Sequence, residues 1–507
     1  MPRIIDGMFR KAPALVAVLL LSACGSTVST AGQQSLATGD GLGVAQSQAP
    51  TGDASSTSTS GLALPGSPST TGGSAQLPGA ASGSGGAGTT STSGAVVPGG
   101  PSPLTITGGS HTKIQVGFLV AEDVGKALSA LGYDGQSSGD GGDQVNALVT
   151  AINKQGGIAG HPIDPVIYKA TATGGNNQEQ AACSLFFDDH KVLAIAGAYS
   201  DVVRDCAKKR GVPYVGSGLT TMNRADLAKA TNTAIPTHPV IEDATVAMVD
   251  GLVKQGWFKA SSATEVVKIG LVTHNHATYA NVPSLVTQRL KAAGLALTDT
   301  FDMPFPAAQG DEANAAAAGK SASLKFASEG INRVLSMDEH GFGFGWFAIG
   351  AGSNSYYPKY GLSTLSLPNF YTGLLQPRQL AGAAGVGWAP YIDTAVSHQP
   401  AVSPRTNECL AIERKAGQQT DLGNVRLSIL SICETVFTLA DAWRTQPISL
   451  PGFLTGLKAL GTHYQATGVF GTDFAHSRAA ADAYRADHYE AGCNCFVYTG
   501  PVLRFPR

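Results

Sequence analysis

Beyond its first two dozen residues this 507-residue chain has no apolar run approaching the roughly 20 residues that a bilayer crossing needs. Charge is scarce, at 14% of residues with a net value of −2, and no basic stripe is visible. A protein that grips nucleic acid needs such a stripe to neutralise phosphates, so that class of partner is excluded. Two signatures are also missing: Gly-x-x-x-x-Gly-Lys-Ser/Thr, the phosphate loop of an ATPase, and His-Glu-x-x-His, the helical zinc pair of a metalloprotease. The serines, histidines and aspartates are too scattered to nominate a triad. No catalytic residue and no cofactor is therefore expected.

What is present starts at the N-terminus, where Arg3, Arg10 and Lys11 precede the apolar stretch Ala14 to Leu21. A basic region followed by a short apolar one is a secretory signal, placed here at residues 1–23. It ends in Leu21-Ser-Ala-Cys24, which resembles the lipobox of bacterial lipoproteins. That resemblance implies acylation of Cys24 and a lipid anchor at the outer face of the cytoplasmic membrane. From Gly25 to about Thr112 the chain turns to Gly, Ser, Thr, Ala and Pro with hardly a charge or an aromatic ring. Such a segment buries too little surface to offset its chain entropy. Residues 24–112 are thus expected to form a flexible stalk, with a reach of roughly 50 Å.

The remaining residues, 113–507, are enough for a two-lobed unit with sizeable cores. Ile114 to Val120 is an apolar strand of the doubly buried kind. Val145, Leu148, Val149 and Ile152 then share one helical face that stops at Gly156-Gly157. Strand Ile163 to Tyr168, a helix through Ala182, Leu185 and Phe186, and strand Val192 to Ala196 follow. A second series starts with strand Val266 to Val272 and a helix carrying Val282, Leu285, Val286 and Leu290. Further strands are predicted at Arg333 to Ser336 and Phe370 to Thr372, and a long core helix from Ile429 to Trp443. Alternating strands and helices predict an α/β fold of parallel sheets under helices, with ligands at the carboxyl ends of the strands. Six cysteines follow Cys24, namely Cys183, Cys206, Cys409, Cys433, Cys493 and Cys495, and an even count in an exported chain points to disulfides. Zinc is the rival for Cys493-x-Cys495, but no second cysteine pair or histidine cluster lies near it in sequence, so no metal is expected.

The run Ala151-Ile-Asn-Lys-Gln-Gly-Gly-Ile-Ala-Gly-His-Pro-Ile163 resembles the helix-to-strand signature of the leucine/isoleucine/valine-binding family of periplasmic proteins. The likeness continues through Gly197 to Ser200, Gly211 to Thr221, the strand ending near Tyr279, and Ser353 to Leu362. It implies the type I periplasmic-binding architecture, two lobes with mostly parallel sheets joined by three hinge crossovers. Lobe one is expected at 113–240 plus 388–480, lobe two at 241–387 plus 481–507. It also implies ligand contacts from the strand-end loops: Tyr199, Ser200, Ser217, Gly218, Leu219 and Thr220 from lobe one, with Tyr279 as an aromatic lid from lobe two. Ser200 and Thr220 have an alternative use as helix caps, and Tyr279 as a packed core ring. His274 and His276 flank Asn275 at the same strand end. Asp338 and Glu339 follow another lobe-two strand and could hold an ammonium group. The family's later acidic residue has no counterpart in Tyr371-Thr-Gly-Leu-Leu-Gln376, which argues against a branched-chain amino acid as ligand.

On that architecture Cys183 and Cys206 fall on neighbouring helices, which makes their bridge feasible. Cys409 and Cys433 lie on successive helices, and a Cys493–Cys495 bridge would span one residue. The expected function is capture of a small polar solute (an amino acid, an amide or an organic acid) for an ABC permease complex, by hinge closure. The alternative is a membrane-tethered sensor or interaction module with a partner at the membrane. Replacing Cys24 by Ser is expected to move the protein from the membrane to the soluble fraction, as read by fractionation and immunoblotting. Retention of the C24S protein in the membrane would refute the lipid anchor.

Overall fold

The computed structural model describes residues 112–122, 125, 137–171, 175–218, 221–304, 311–338, 342–400 and 402–506. The expected signal, Cys24 and the expected stalk fall outside the described residues. Sheet one holds β1 (Ile114–Ala121), β2 (Ile163–Ala170), β3 (Ala194–Ala198), β4 (Tyr214–Ser217) and β5 (Thr233–Ala234) in the order β2-β1-β3-β4-β5, all parallel. Between these strands run α1 (Gly141–Lys154), α2 (Gly175–Ser184), α3 (Asp201–Lys209) and α4 (Arg224–Lys229). After α5 (Ile241–Lys254) come β6 (Ile269–Asn275), α6 (Val282–Ala292), β7 (Leu297–Pro304), α7 (Asp311–Glu329), β8 (Arg333–Ser336), α8 (Phe342–Ser353) and β9 (Lys359–Ser363). Then follow β10 (Ala384–Gly387), α9 (Pro404–Lys415), α10 (Gly423–Trp443), α11 (Leu450–Leu460), β11 (Ala483–Glu490) and β12 (Cys495–Arg504), with short helices at Pro368–Thr372, Pro377–Leu380 and Pro390–Asp393. Sheet two runs β12-β11-β10-β9-β8-β6-β7, parallel except at its β10-β11-β12 edge. This is the expected two-lobed, mostly parallel α/β architecture.

The helix-to-strand signature has a local cause. Asp140 caps α1 by accepting from the N–H groups of Gly142 and Asp143 at 2.8 and 3.1 Å. At the far end Gly157 has φ +75°, and a Cβ there would sit 2.1 Å from the His161 carbonyl oxygen, so only glycine fits the turn. Asn153 then ties the helix to the next strand: its amide donates to the Ile163 carbonyl at 2.9 Å while its oxygen accepts from the Ile163 N–H at 2.7 Å. The Ile-Asn of the motif is thus one core residue and one backbone clamp.

The chain passes between the sheets three times. Residues 235–240 lead from β5 to α5, which packs on β9 and β10. Residues 388–403 lead back to α9 and α10, the latter lying across β3, β4 and α1. Residues 461–482 return to β11. Along α10 the side chains of Ile429, Cys433, Val436 and Trp443 are all buried, and each large apolar one stabilises the fold by about 1.5–3 kcal/mol.

Disulfides join Cys183 to Cys206 and Cys409 to Cys433 between adjacent helices, with Cα separations of 6.3 and 6.1 Å. The third joins Cys493 to Cys495, the pair separated by one residue. Asn494 between them adopts φ +51°, which brings their Cα atoms to 5.2 Å, inside the usual disulfide range.

One expected strand is not one. Phe370 to Thr372 ends a short helix, with Pro368 in its first turn, where a fixed φ and a missing N–H both suit a helix. The strand of this region is β9. Two others are displaced by two or three residues, because ladder pairing rather than the apolar run sets their ends: Ala198 pairs with Ser217 and Asn275 with Pro304.

Beside the second crossover lies a buried acid pair. A Cβ on Gly387 would sit 2.3 Å from Asp393 Oδ2 and 2.8 Å from Asp487 Oδ2, so both carboxyls crowd one point. Asp393 accepts from Thr364 Oγ1, the Ala389 N–H and Tyr498 Oη at 3.0, 3.0 and 2.5 Å, whereas neither Asp487 oxygen has a hydrogen-bond partner. Burial pushes both carboxyls up, and Asp393 adds to the rise at Asp487. Burial also lifts Asp338 to about 6 and Glu413 to about 8. Groups whose folded pKa is raised bind protons more tightly when folded, so stability is greatest near the unfolded carboxyl value, about 4, and falls as pH rises through the raised values. The melting temperature is expected to fall between pH 5 and pH 8, and Asp487→Asn to flatten that slope and raise the value at pH 8. A parent protein that gains stability over this range, or an Asp487→Asn variant that loses it at pH 8, would contradict the assignment.

Candidate functional site

The carboxyl ends of β3 and β4 and the end of β6 face one cleft, with a volume of about 210 Å3. Lobe one lines it with Tyr199, Asp201, Arg204, Thr221, Met222 and Asp226, and lobe two with His276, Ala277 and Thr278. A somewhat larger cavity of about 260 Å3 lies on the crossovers among Ser403, Tyr464, Gln465 and Arg504. None of its lining residues comes from the β3 and β4 ends, where parallel α/β sheets present ligand groups, so the smaller cleft is the candidate.

Its lobe-one wall is built from a short stretch. β3 ends at Ala198, and Ser200 caps α3 by accepting from the Val203 N–H at 3.1 Å. The Ser200 N–H donates to Tyr214 Oη at 2.8 Å, which anchors the turn to β4. The first turn of α3 then presents Asp201 and Arg204 on one side, three residues apart. Tyr199 Oη donates to Asp201 Oδ1 at 2.7 Å and accepts from Arg204 Nη1 at 2.7 Å, and Arg204 also pairs with Asp205 at 2.8 Å. Burial, followed by the Asp201 charge, pushes the Tyr199 phenol well above its ordinary value, so it stays protonated and can both donate and accept. Arg204 is only 15% exposed at its side chain. At the other end of this wall, Asp226 is held below the ordinary carboxylate value: burial opposes ionisation, but hydrogen bonds from Lys229 and Asn223 outweigh it.

The lobes touch at this cleft. Asn223 caps α4 by accepting from the Asp226 N–H at 2.7 Å, and its amide reaches the Ala277 carbonyl of lobe two at 3.4 Å. Behind that loop His274 is buried against Tyr279, their rings 5.7 Å apart. Burial lowers the His274 pKa to about 4, so it is neutral at pH 7.

Of the residues nominated from sequence, Tyr199 lines the cleft, and so does His276 beside the nominated strand end. Ser200 is buried at the α3 cap. Ser217 is buried, its hydroxyl donating to the Gly197 carbonyl at 3.4 Å, and Gly218 has φ +115° with open space where a Cβ would be. Tyr279 is 1% exposed and sits in the core. Asp338 is fully buried, accepting from Ser336 Oγ at 2.8 Å and from the Phe344 N–H at 3.0 Å, so it anchors α8. Leu219, Thr220 and Glu339 lie outside the described residues. Sequence reasoning passed over Asp201, Arg204 and Asp226. For Asp201 and Arg204 the available signal was their place in the first turn of a helix that directly follows a parallel strand.

Residues 116–328 match the family model described as periplasmic binding protein. No curated protein matches the chain in sequence. Among solved structures it is similar to a solute-binding protein of an ABC transporter from R. palustris in complex with 4-hydroxybenzoate, at 14% identity and a TM-score of 0.56, over 78% of this chain and 98% of that one. A branched-chain amino acid ABC transporter protein from Thermus thermophilus with bound valine is similar at 13% identity and 0.53, over 77% and 97%. A fatty acid ABC transporter substrate-binding protein from Thermomonospora curvata gives 14% and 0.53, over 79% and 95%. At these identities the structures speak for the fold. Residues 116–328 thus resemble the periplasmic binding protein family, and the described part of the chain has the fold of these solute-binding structures.

Proposed function

We propose that this protein captures a small polar solute in the cleft between its lobes and presents it to an ABC permease complex from the outer face of the membrane. The observation that carries this reading is the cleft itself, where polar groups from both lobes converge: Tyr199, Asp201 and Arg204 on one side, His276 and Thr278 on the other. A ligand that touches both walls stabilises the closed arrangement over the open one, which is all that a hinge mechanism requires. The moving bodies would be 113–240 plus 388–480 and 241–387 plus 481–507. No helix among the described residues is long and apolar enough to cross a membrane.

The cleft chemistry narrows the solute. Arg204 is the cation that lines the cleft, mostly shielded from solvent, yet Asp201 and Asp205 already flank it, and Asp226 adds a further negative charge. A bare anion would meet as much repulsion as attraction there. An amino acid, an amide or a hydroxylated acid, offering donors and acceptors together, satisfies both signs. Related structures hold valine and 4-hydroxybenzoate, which brackets this range.

A second reading, a sensor or interaction module, rests on a specific observation. Ser200 and Asp338, the groups most suited to a ligand's polar ends, are spent on the protein's own helix starts. The two readings separate in a thermal-shift screen of residues 100–507, which form one compact unit, against amino acids, amides, organic acids and sugars. A ligand at a hundred times its Kd stabilises the fold by about 2.7 kcal/mol, which raises the melting temperature visibly. The expected result is such a shift from at least one amide, amino acid or hydroxy acid, with Arg204→Ala weakening binding at least tenfold, about 1.4 kcal/mol. A well-folded protein that answers no compound in the set would replace transport by the sensor reading.

A further inference from the structure

The Cys493-x-Cys495 pair looks isolated in sequence, but the fold brings a third soft ligand to it. His398 ends the 3-10 turn Val396–His398 in the second crossover, and its Nδ1 lies 3.7 Å from Cys495 Sγ, across 97 residues of chain. One ligand atom each from His398, Cys493 and Cys495 lies within 4.8 Å of the others. We propose that these three residues, once the Cys493–Cys495 bridge is opened by a dithiol, form a binding site for one thiophilic divalent cation of the zinc type.

The geometry suits that ion. A tetrahedral zinc with S and N ligands at about 2.3 and 2.0 Å sets those ligand atoms roughly 3.5–3.8 Å apart. The Nδ1 to Cys495 Sγ separation already has that value. Cys495 is the first residue of β12, 2% exposed and paired with Glu490 in the ladder, so it is a fixed ligand. Cys493 belongs to the turn between β11 and β12, where its Sγ faces the Glu490 carbonyl at 3.5 Å. It is the ligand free to swing out to metal distance. Asn494 braces the turn by accepting from Tyr489 Oη at 2.6 Å and donating to the Thr372 carbonyl at 3.1 Å. Ser397 Oγ, 2.9 Å from His398 Nδ1, would yield that nitrogen to the ion. Two thiolates and one imidazole leave the fourth position to water or a small ligand, as in other Cys2His zinc sites.

The chemistry balances without an unnamed reagent. A thiolate of the incoming dithiol attacks one sulfur of the bridge and expels the other cysteine as thiolate; the reagent's second thiolate then attacks its own first sulfur in the mixed disulfide and expels the remaining cysteine, leaving the reagent as a disulfide and both cysteines reduced. Each cysteine releases its proton as it ligates the cation, while His398 binds as the neutral imidazole. The site joins the second crossover to the β11–β12 hairpin. Metal binding would therefore fasten a hinge segment to lobe two only in the reduced protein.

The test uses the full chain, treated with a mild dithiol and then titrated with cadmium, whose thiolate charge-transfer absorption reports sulfur ligation directly. The expected result is one cadmium per chain, displaced by zinc, with Cys493 and Cys495 protected from alkylation in a mass-spectrometric map. The untreated protein and Cys493→Ser are expected to show no such absorption. His398→Ala, a change at an exposed side chain, is expected to weaken binding at least about tenfold. Failure of the reduced protein to bind cadmium, protection of Cys183 and Cys206 in place of 493 and 495, or an unchanged affinity in His398→Ala would each overturn the proposal.

Discussion

The hydrogen bonds of Trp388 hold the three crossovers to one another, and everything the cleft can do depends on that knot. The indole is fully buried and its N–H donates to the Thr237 carbonyl of the first crossover at 3.1 Å. Its own carbonyl accepts from the Phe470 N–H of the third at 3.1 Å. Residues 235 and 479 continue the contact as a parallel bridge, and the Arg478 guanidinium covers carbonyls of α4 and of the start of β5, donating to Leu227 and Thr233 at 2.6 Å. Buried backbone groups in a connecting segment are costly when unpaired, so this knot is what allows three loops to run through the interior between two sheets. It also fixes which strand ends oppose each other.

The cleft that results is polar and already internally paired. Tyr199, Asp201, Arg204 and Asp205 are joined by hydrogen bonds, and under the proposed function a solute would insert into that set or exchange with part of it. Exposed ion pairs contribute little, but Arg204 is mostly shielded, so removing its partners leaves a charge with poor solvation. Specificity in such a site comes from satisfying both signs at once, which favours solutes that carry donors and acceptors a few ångströms apart over simple ions. The Asn223 amide and the Ala277 carbonyl link the two walls directly, and at 3.4 Å the bond is long and weak.

Much of this was determined by sequence alone. The α1-to-β2 turn needs glycine at 157 and an amide at 153 for reasons that are local to a dozen residues, so the motif could be read directly. The alternation of apolar strands with amphipathic helices carried the two-sheet class, and the Cys183–Cys206 bridge followed from two helices flanking one strand. Other features were decided only by tertiary structure. Ser200 and Asp338 looked like ligand groups because strand-end polar residues serve either a ligand or a helix start, and only the three-dimensional neighbours, the Val203 and Phe344 N–H groups, decide between them. Phe370 to Thr372 has strand-forming residues in a helix because Pro368 starts one. Tyr279 reads as lid or core in sequence, and only the fold shows it buried with its ring against His274 of β6. His398 beside Cys495, and His276 opposite Arg204, are juxtapositions across long stretches of chain. Periodicity and turn chemistry report what a residue does to its own dozen neighbours, whereas a site is made where distant segments meet, and that meeting is set here by the knot around Trp388.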